Sequence, residues 1–113
     1  MDKPYVLGLD MGGTNSVLGI VDARGHVINR TSIKTQEYKD INDYIDALYA
    51  EGIKLIDSVG GIDLIRGIGA GVPNGNFYTG MIEGAMNLPW PVVPFAELMS
   101  KKFGVPCKIT NDA

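Results

Sequence analysis

Tyr5-Val6-Leu7-Gly8-Leu9-Asp10-Met11-Gly12-Gly13-Thr14-Asn15-Ser16-Val17-Leu18-Gly19-Ile20-Val21 is the stretch on which the fold turns. A short apolar run, Tyr5 to Leu9, ends at Asp10. A glycine turn follows, and then a second β-rich run from Ser16 to Val21, so the pattern reads strand, turn, strand. Asp22-Ala23-Arg24-Gly25 is a polar turn with glycine last, and His26 to Lys34 continues with β-branched residues. The first third is therefore expected to be a three-stranded antiparallel meander.

The period changes at Asp40. Ile41, Ile45, Leu48, Leu55, Ile56 and Val59 recur at helical spacing, Asp40 and Asp43 suit an N-terminal turn, and Gly60-Gly61 supplies a stop. Leu64 to Ala70 reads as a strand. It opens into a glycine- and asparagine-rich tract from Gly71 to Asn87, in which Phe77 to Ile82 is expected to form a small hairpin or extended flap. Phe95, Leu98 and Phe103 mark a short helix closed by Gly104, and Val105 to Thr110 is a last strand. The order β-β-β-α-β-α-β predicts an α/β fold with a mixed five-stranded sheet, a meander on one side and helical crossovers feeding parallel strands.

Composition narrows the function. One core is all that 113 residues build, and 45% hydrophobic with 20% charged residues describes a folded, soluble chain. A net charge of −3 supplies no cationic surface for a nucleic acid or an anionic membrane, so neither partner is expected. Cys107 is the single cysteine and His26 the single histidine, which excludes zinc knuckles and CxxC pairs built from this chain. His26 sits in Arg24-Gly25-His26-Val27 and reads as a surface turn residue. No apolar run approaches the roughly 18 residues of a membrane span, and the start is unlike a signal peptide; the expected compartment is the cytoplasm. Fifteen glycines are nearly double the average share of about 7%, and they are expected at particular turns.

Three polar clusters fall at the ends of the predicted parallel strands, where open α/β sheets bind ligands. In Asp10-Met11-Gly12-Gly13-Thr14-Asn15, adjacent glycines with positive φ can line an anion nest for phosphate. Thr14 and Asn15 add side-chain donors, and Asp10 suits a Mg²⁺ that bridges carboxylate and phosphate. The same residues also suit an ordinary hairpin turn. Gly71-Val72-Pro73-Asn74-Gly75-Asn76 joins loop geometry to carboxamides, which donate and accept as a sugar hydroxyl does; Asn-Gly is equally a plain turn former. Asn87 and Trp90 allow either sugar contact or simple packing. Asn111-Asp112 places a carboxylate where it can take a proton from an attacking hydroxyl, or serves as a helix cap. There is no Walker loop, and Gly67-Ile68-Gly69-Ala70-Gly71 runs into Pro73 where a dinucleotide fingerprint needs a helix.

Taken together and in this order, these tracts resemble the ROK family of bacterial sugar kinases and repressors, specifically its glucokinase or fructokinase-like members. The residues that carry the likeness are Leu7 to Asn15, Ile68 to Gly75, Asn87-Leu88-Pro89-Trp90, and Phe103-Gly104-Val105-Pro106 leading to Asn111-Asp112-Ala113. The resemblance implies an actin-like ATPase (ribonuclease H-like) fold, of which residues 1–113 would be the N-terminal lobe with the C-terminal lobe absent. It implies transfer of the ATP γ-phosphoryl to a hexose. Asp112 would be the general base, with Asn111, Asn74, Gly75 and Asn87 holding the sugar. Gly12, Gly13, Thr14 and Asn15 would face the ATP phosphates, with Asp10 close to Mg²⁺, directly or through water. Zinc, bound in the family by a downstream His and Cys motif, would belong to the missing lobe. Asn74-Gly75-Asn76 departs from the Gly-Pro-Val-Asp loop common in the family, which leaves the hexose open between the glucose and fructose classes. The fragment alone is expected to be inactive and, with apolar surface bared, to form a homodimer. The alternatives are a sugar-binding transcriptional regulator of the same family, which the early first strand disfavours, and a non-sugar actin-like ATPase, which should lack Asn111-Asp112.

Overall fold

Alternation along the first strands sets the sheet. In β1 (Tyr5–Met11), Leu7, Leu9 and Met11 are buried, while Asp10 between them is exposed; in β2 (Asn15–Val21), Ser16, Leu18 and Ile20 are buried. A period of two puts each apolar set on one face. The computed structural model describes residues 3–85 and 88–111. The expected base Asp112 and the expected sugar ligand Asn87 lie outside the described residues.

With β3 (Val27–Lys34), β4 (Ile65–Val72) and β7 (Cys107–Asn111), these strands form a five-stranded sheet in the order β3-β2-β1-β4-β7. The β1–β2 and β2–β3 pairs are antiparallel, and the β1–β4 and β4–β7 pairs are parallel. This is the meander and parallel half that the sequence predicts. Helix α1 (Ile41–Ser58) makes the crossover from β3 to β4, and α2 (Phe95–Phe103) leads into β7. Asp40 caps α1 by accepting from the Asn42 N–H at 2.8 Å, a contact worth about 1 kcal/mol. Gly104, in the left-handed region at φ 76°, closes α2.

Of the two forms expected for 77–82, the small hairpin is the one found: Gly75 bridges antiparallel to Ile82 around it. Ile82 then continues as β5 (Ile82–Glu83), which pairs with β6 (Val92–Val93). Strands of two residues carry no periodic signal, so they are invisible in the sequence. The glycine excess, in turn, is not confined to turns. Gly8, Gly19, Gly67, Gly69 and Gly71 lie within β1, β2 and β4, and Gly19, Gly8 and Gly69 stand in one row across three strands. They fall on the face opposite the buried Leu7, Leu9, Ile68 and Ala70, so that face has few side chains.

The core gathers around Tyr44 of α1. Its ring lies 4.6 Å from that of Trp90 and 6.4 Å from that of Phe95. Such pairs add about 0.5–1.5 kcal/mol each beyond area burial. Trp90 is 3% exposed and donates its indole N–H to the Tyr38 carbonyl at 3.2 Å, so it is a packing anchor rather than a stacking platform.

Candidate functional site

Because β1, β4 and β7 run parallel, their carboxyl ends meet at one edge of the sheet. Asp10 pairs with Gly71, and Gly71 with Thr110, so these positions stand side by side on one line across the strands. Two strand spacings separate Asp10 from Thr110, roughly 10 Å. All three predicted clusters therefore begin at the same edge.

The first turn is wired from behind. Thr35, fully buried, donates its hydroxyl to the Gly12 carbonyl at 2.8 Å. Its oxygen lies 2.7 Å from the Ser16 hydroxyl, which lies 2.5 Å from the Tyr44 phenol. One proton per hydroxyl fixes the direction of the chain: Thr35 has used its proton on Gly12, so Ser16 donates to Thr35 and Tyr44 donates to Ser16. Burial raises the Tyr44 phenol well above its ordinary value, which keeps it a donor. Two further contacts pin the turn, the Gln36 amide donating to the Gly13 carbonyl at 2.8 Å and the Thr35 N–H to the Thr14 carbonyl at 2.9 Å. Sequence reading missed Ser16, Thr35 and Tyr44. Their signal is a polar residue at a core position of the strand pattern, as at Ser16.

The nest geometry expected of this turn is not formed. Neither Gly12 nor Gly13 has positive φ, and the Gly12 N–H is spent on the Asn15 carbonyl at 2.9 Å. Glycine is needed at 12 for a different reason: a Cβ there would meet that Asn15 oxygen at 2.8 Å. The N–H groups of Gly13 and Thr14 and the Thr14 hydroxyl have no partner among the described residues. Asp10 and Asn15 are exposed at the two sides of the turn.

The second and third clusters are joined by one bond. Asn111 Oδ1 accepts the Asn74 N–H at 3.0 Å, and Asn74 stands in the left-handed region at φ 52°, the one non-glycine residue there among those described. Gly75 lies tight against β7, where a Cβ would meet the Thr110 carbonyl oxygen at 3.0 Å and crowd the Val72 side chain harder still. The loop beyond is held by Asn76: its Oδ1 accepts from the N–H groups of Tyr78 at 2.9 Å and Thr79 at 3.1 Å, and its Nδ2 donates to Glu83 at 3.1 Å. A shallow concavity of about 500 Å³ is lined by Asn74, Gly75, Asn76, Phe77, Tyr78 and Glu83.

Other candidates fall away on geometry. His26 is an exposed turn residue 3.7 Å from Asp22. Cys107 is a free thiol that burial pushes up to about 11, so it is no nucleophile near neutrality. Among the described residues, no group of three His, Cys, Asp or Glu side chains could hold a metal ion. A Mg²⁺ needs only one or two carboxylates beside phosphate oxygens and water, a donor set that exposed Asp10 fits. No helix among the described residues is long and apolar enough to cross a membrane.

A glucomannokinase of Segatella bryantii is 84% identical over 19 residues, which are 17% of this chain and 76% of that sequence. A ROK family glucokinase from Streptomyces griseus, solved with glucose and AMPPNP, superposes with a TM-score of 0.81 at 24% identity, over 96% of this chain and 33% of its own. A ROK family transcriptional regulator, a homologue of the E. coli MLC protein, superposes at 0.78 with 19% identity, over 96% of this chain and 28% of its own. The chain thus spans about a third of the length of the solved structures it matches. The shared fold is the actin-like ATPase (ribonuclease H-like) fold expected from the resemblance. Residues 6–113 match the sequence pattern of the ROK family, and with that match the chain belongs to it.

Proposed function

We propose that the protein phosphorylates a hexose with ATP, this chain supplying the N-terminal one of two lobes around the cleft. The observation that carries the reading is the bond from the Asn74 N–H to Asn111 Oδ1. It ties the amide-rich loop after β4 to the last residue of β7, the neighbour of Asp112 in the sequence, which supports a reading in which the loop holds the sugar and Asp112 acts on it. With Oδ1 committed, Asn111 has its NH₂ left to donate to a sugar hydroxyl, while the Asn74 carboxamide oxygen accepts. Gly75 lets the loop approach β7, and Asn87 is a further sugar ligand in this reading.

In the mechanism, Asp112 accepts the proton of the attacking hydroxyl as its oxygen closes on the γ-phosphorus. Phosphoryl transfer asks chiefly for positioning and charge stabilisation. The Gly12 to Asn15 turn serves the ATP phosphates through the N–H groups of Gly13 and Thr14, the Thr14 hydroxyl and the Asn15 side chain. Gly12 contributes by shaping the turn, its N–H being occupied. Asp10 would hold Mg²⁺, directly or through water, and the ion would neutralise charge on the phosphates.

The test is transfer of the ATP γ-phosphoryl to glucose, mannose and fructose by the intact protein. Gluco- and manno-configured sugars come first, because the Segatella relative is a glucomannokinase. Asp112→Asn should lower kcat by roughly 10²–10⁴-fold and leave sugar affinity nearly unchanged; retained turnover overturns the base assignment. The second reading is a sugar-binding regulator, favoured by the fold shared with the ROK transcriptional regulator. It is distinguished by sugar binding without any phosphoryl transfer. A homodimer is a further proposal. The uncovered face exposes Val17 and Val27, and sedimentation showing only monomer at high concentration overturns it.

A further inference from the structure

We propose that the acceptor site extends outward onto a second saccharide subsite, formed by the aromatic pair Phe77–Tyr78 beside Asn74, Asn76 and Glu83. The inference rests on the sugar-kinase reading for the acceptor itself, and on the loop geometry for the extension. Tyr78 is 94% exposed and Phe77 51%, on a loop whose backbone is held by several hydrogen bonds. The Asn76 side chain fixes the Tyr78 and Thr79 N–H groups and holds Glu83. The Asn76 N–H donates to the Met81 carbonyl at 2.9 Å, and the Gly80 carbonyl accepts the Ala96 N–H of α2 at 3.0 Å. Two large rings presented to water by a loop so tightly bonded have little left to lose on binding, because the backbone is already ordered. The pair is itself braced: the rings are 5.5 Å apart and nearly perpendicular, and Lys108 Nζ stands 5.8 Å from the centre of the Phe77 ring.

The polar groups around the rings decide the ligand class. Asn74 Oδ1 and Glu83 Oε2 are acceptors without a partner among the described residues, and the Tyr78 hydroxyl donates and accepts. A flat aromatic face rimmed by acceptors and a hydroxyl matches a pyranose ring, whose C–H face is apolar and whose equatorial hydroxyls lie at its edge. The two rings line the shallow concavity together with Asn74, Asn76 and Glu83, and it is open to solvent on its outer side. Asn74 belongs both to this hollow and to the bond with Asn111, so a ring on Tyr78 would be next to the acceptor hexose. The inferred ligand is a hexose carrying a second glycosyl unit.

The test is an amide and aromatic NMR titration of the chain with glucose and with cellobiose. Cellobiose should shift the Tyr78 ring and the Asn76, Tyr78 and Thr79 amides, and should bind at least threefold more tightly than glucose. Tyr78→Ala, at a fully exposed position, should erase that preference while glucose-induced shifts at Asn111 remain. Equal affinities for the two sugars, or a preference that survives Tyr78→Ala, overturns the subsite. Glucose shifts at Asn111 with none from cellobiose at Tyr78 overturn the subsite and spare the acceptor reading. Cellobiose shifts at Tyr78 with none from either sugar at Asn111 support the subsite and remove the acceptor reading.

Discussion

The two strand-end turns of this sheet are held in opposite ways. The Gly12–Asn15 turn is supported from inside, by a chain of buried hydroxyls running from Tyr44 through Ser16 and Thr35 to the Gly12 carbonyl. The Asn74–Glu83 loop is supported from outside, by the exposed carboxamides of Asn74 and Asn111 and the half-buried one of Asn76, bonding to backbone and to Glu83. A bond in the interior cannot be exchanged for water, so losing one partner strands the other. A bond at the surface can be replaced by solvent at small cost. The first turn should therefore be stiff and its supports costly to remove. In the second loop, packing and backbone geometry should matter more than any single amide.

Substitutions at four positions test that contrast. Thr35→Val should cost most, about 2–4 kcal/mol in a urea titration, because it leaves the buried Ser16 hydroxyl without its acceptor and the part-buried Gly12 carbonyl without its donor. A loss below about 1 kcal/mol would mean that water reaches the chain. Gly75→Ala follows at about 1–3 kcal/mol, since the new methyl meets the Thr110 carbonyl at 3.0 Å and β7 backbone has to move. Its signature is a displaced Asn74 amide resonance together with the lost stability. Tyr44→Phe should cost about 1 kcal/mol, less than Thr35→Val, because the phenol is the donating end of the chain and its removal strands no donor. Equal losses for the two variants would reverse the assigned proton direction. Asn74→Gly should change stability least, by at most about 0.5 kcal/mol, while Asn74→Ala costs about 1 kcal/mol for a side chain at φ 52°.

The interior chain also gives a pH dependence. Tyr44 holds its proton more tightly folded than unfolded. Its contribution is therefore complete below the ordinary phenol value near 10 and is lost as pH rises beyond it. The urea midpoint should fall between pH 8 and pH 10.5, and the fall should be smaller in Tyr44→Phe. An identical fall in both proteins places the effect elsewhere.

Most of the fold was legible because its signals are periodic. Leu7, Leu9, Leu18 and Ile20 alternate, and Ile41, Ile45, Leu48 and Ile56 repeat on a helical face, so strands, helix and element order follow from spacing. The ribbon of Ile82–Glu83 with Val92–Val93 was not legible, since two residues contain no period. Nor were the strand glycines, because the sequence does not say that Gly8, Gly19 and Gly69 stand in one row; only strand register does. The candidate site divides the same way. Residue types and order marked Asp10, Asn74 and Asn111, yet the geometry of the Gly12-Gly13 turn was misjudged, as its shape depends on Thr35 and Gln36, more than twenty positions away.

By itself the sequence determined the α/β order, the membership in the ROK family and the three polar clusters, because each rests on local pattern or on residue types in a fixed order. Tertiary structure decided what those clusters do to one another. Parallel pairing of β1, β4 and β7 puts their ends on one edge, and the register there sets Asn111 against Asn74. It also decided which polar groups are spent and which are left to meet a ligand. A hydrogen bond between residues 37 positions apart leaves no trace in either residue's neighbours along the chain, and it exists only when the sheet has brought the two together.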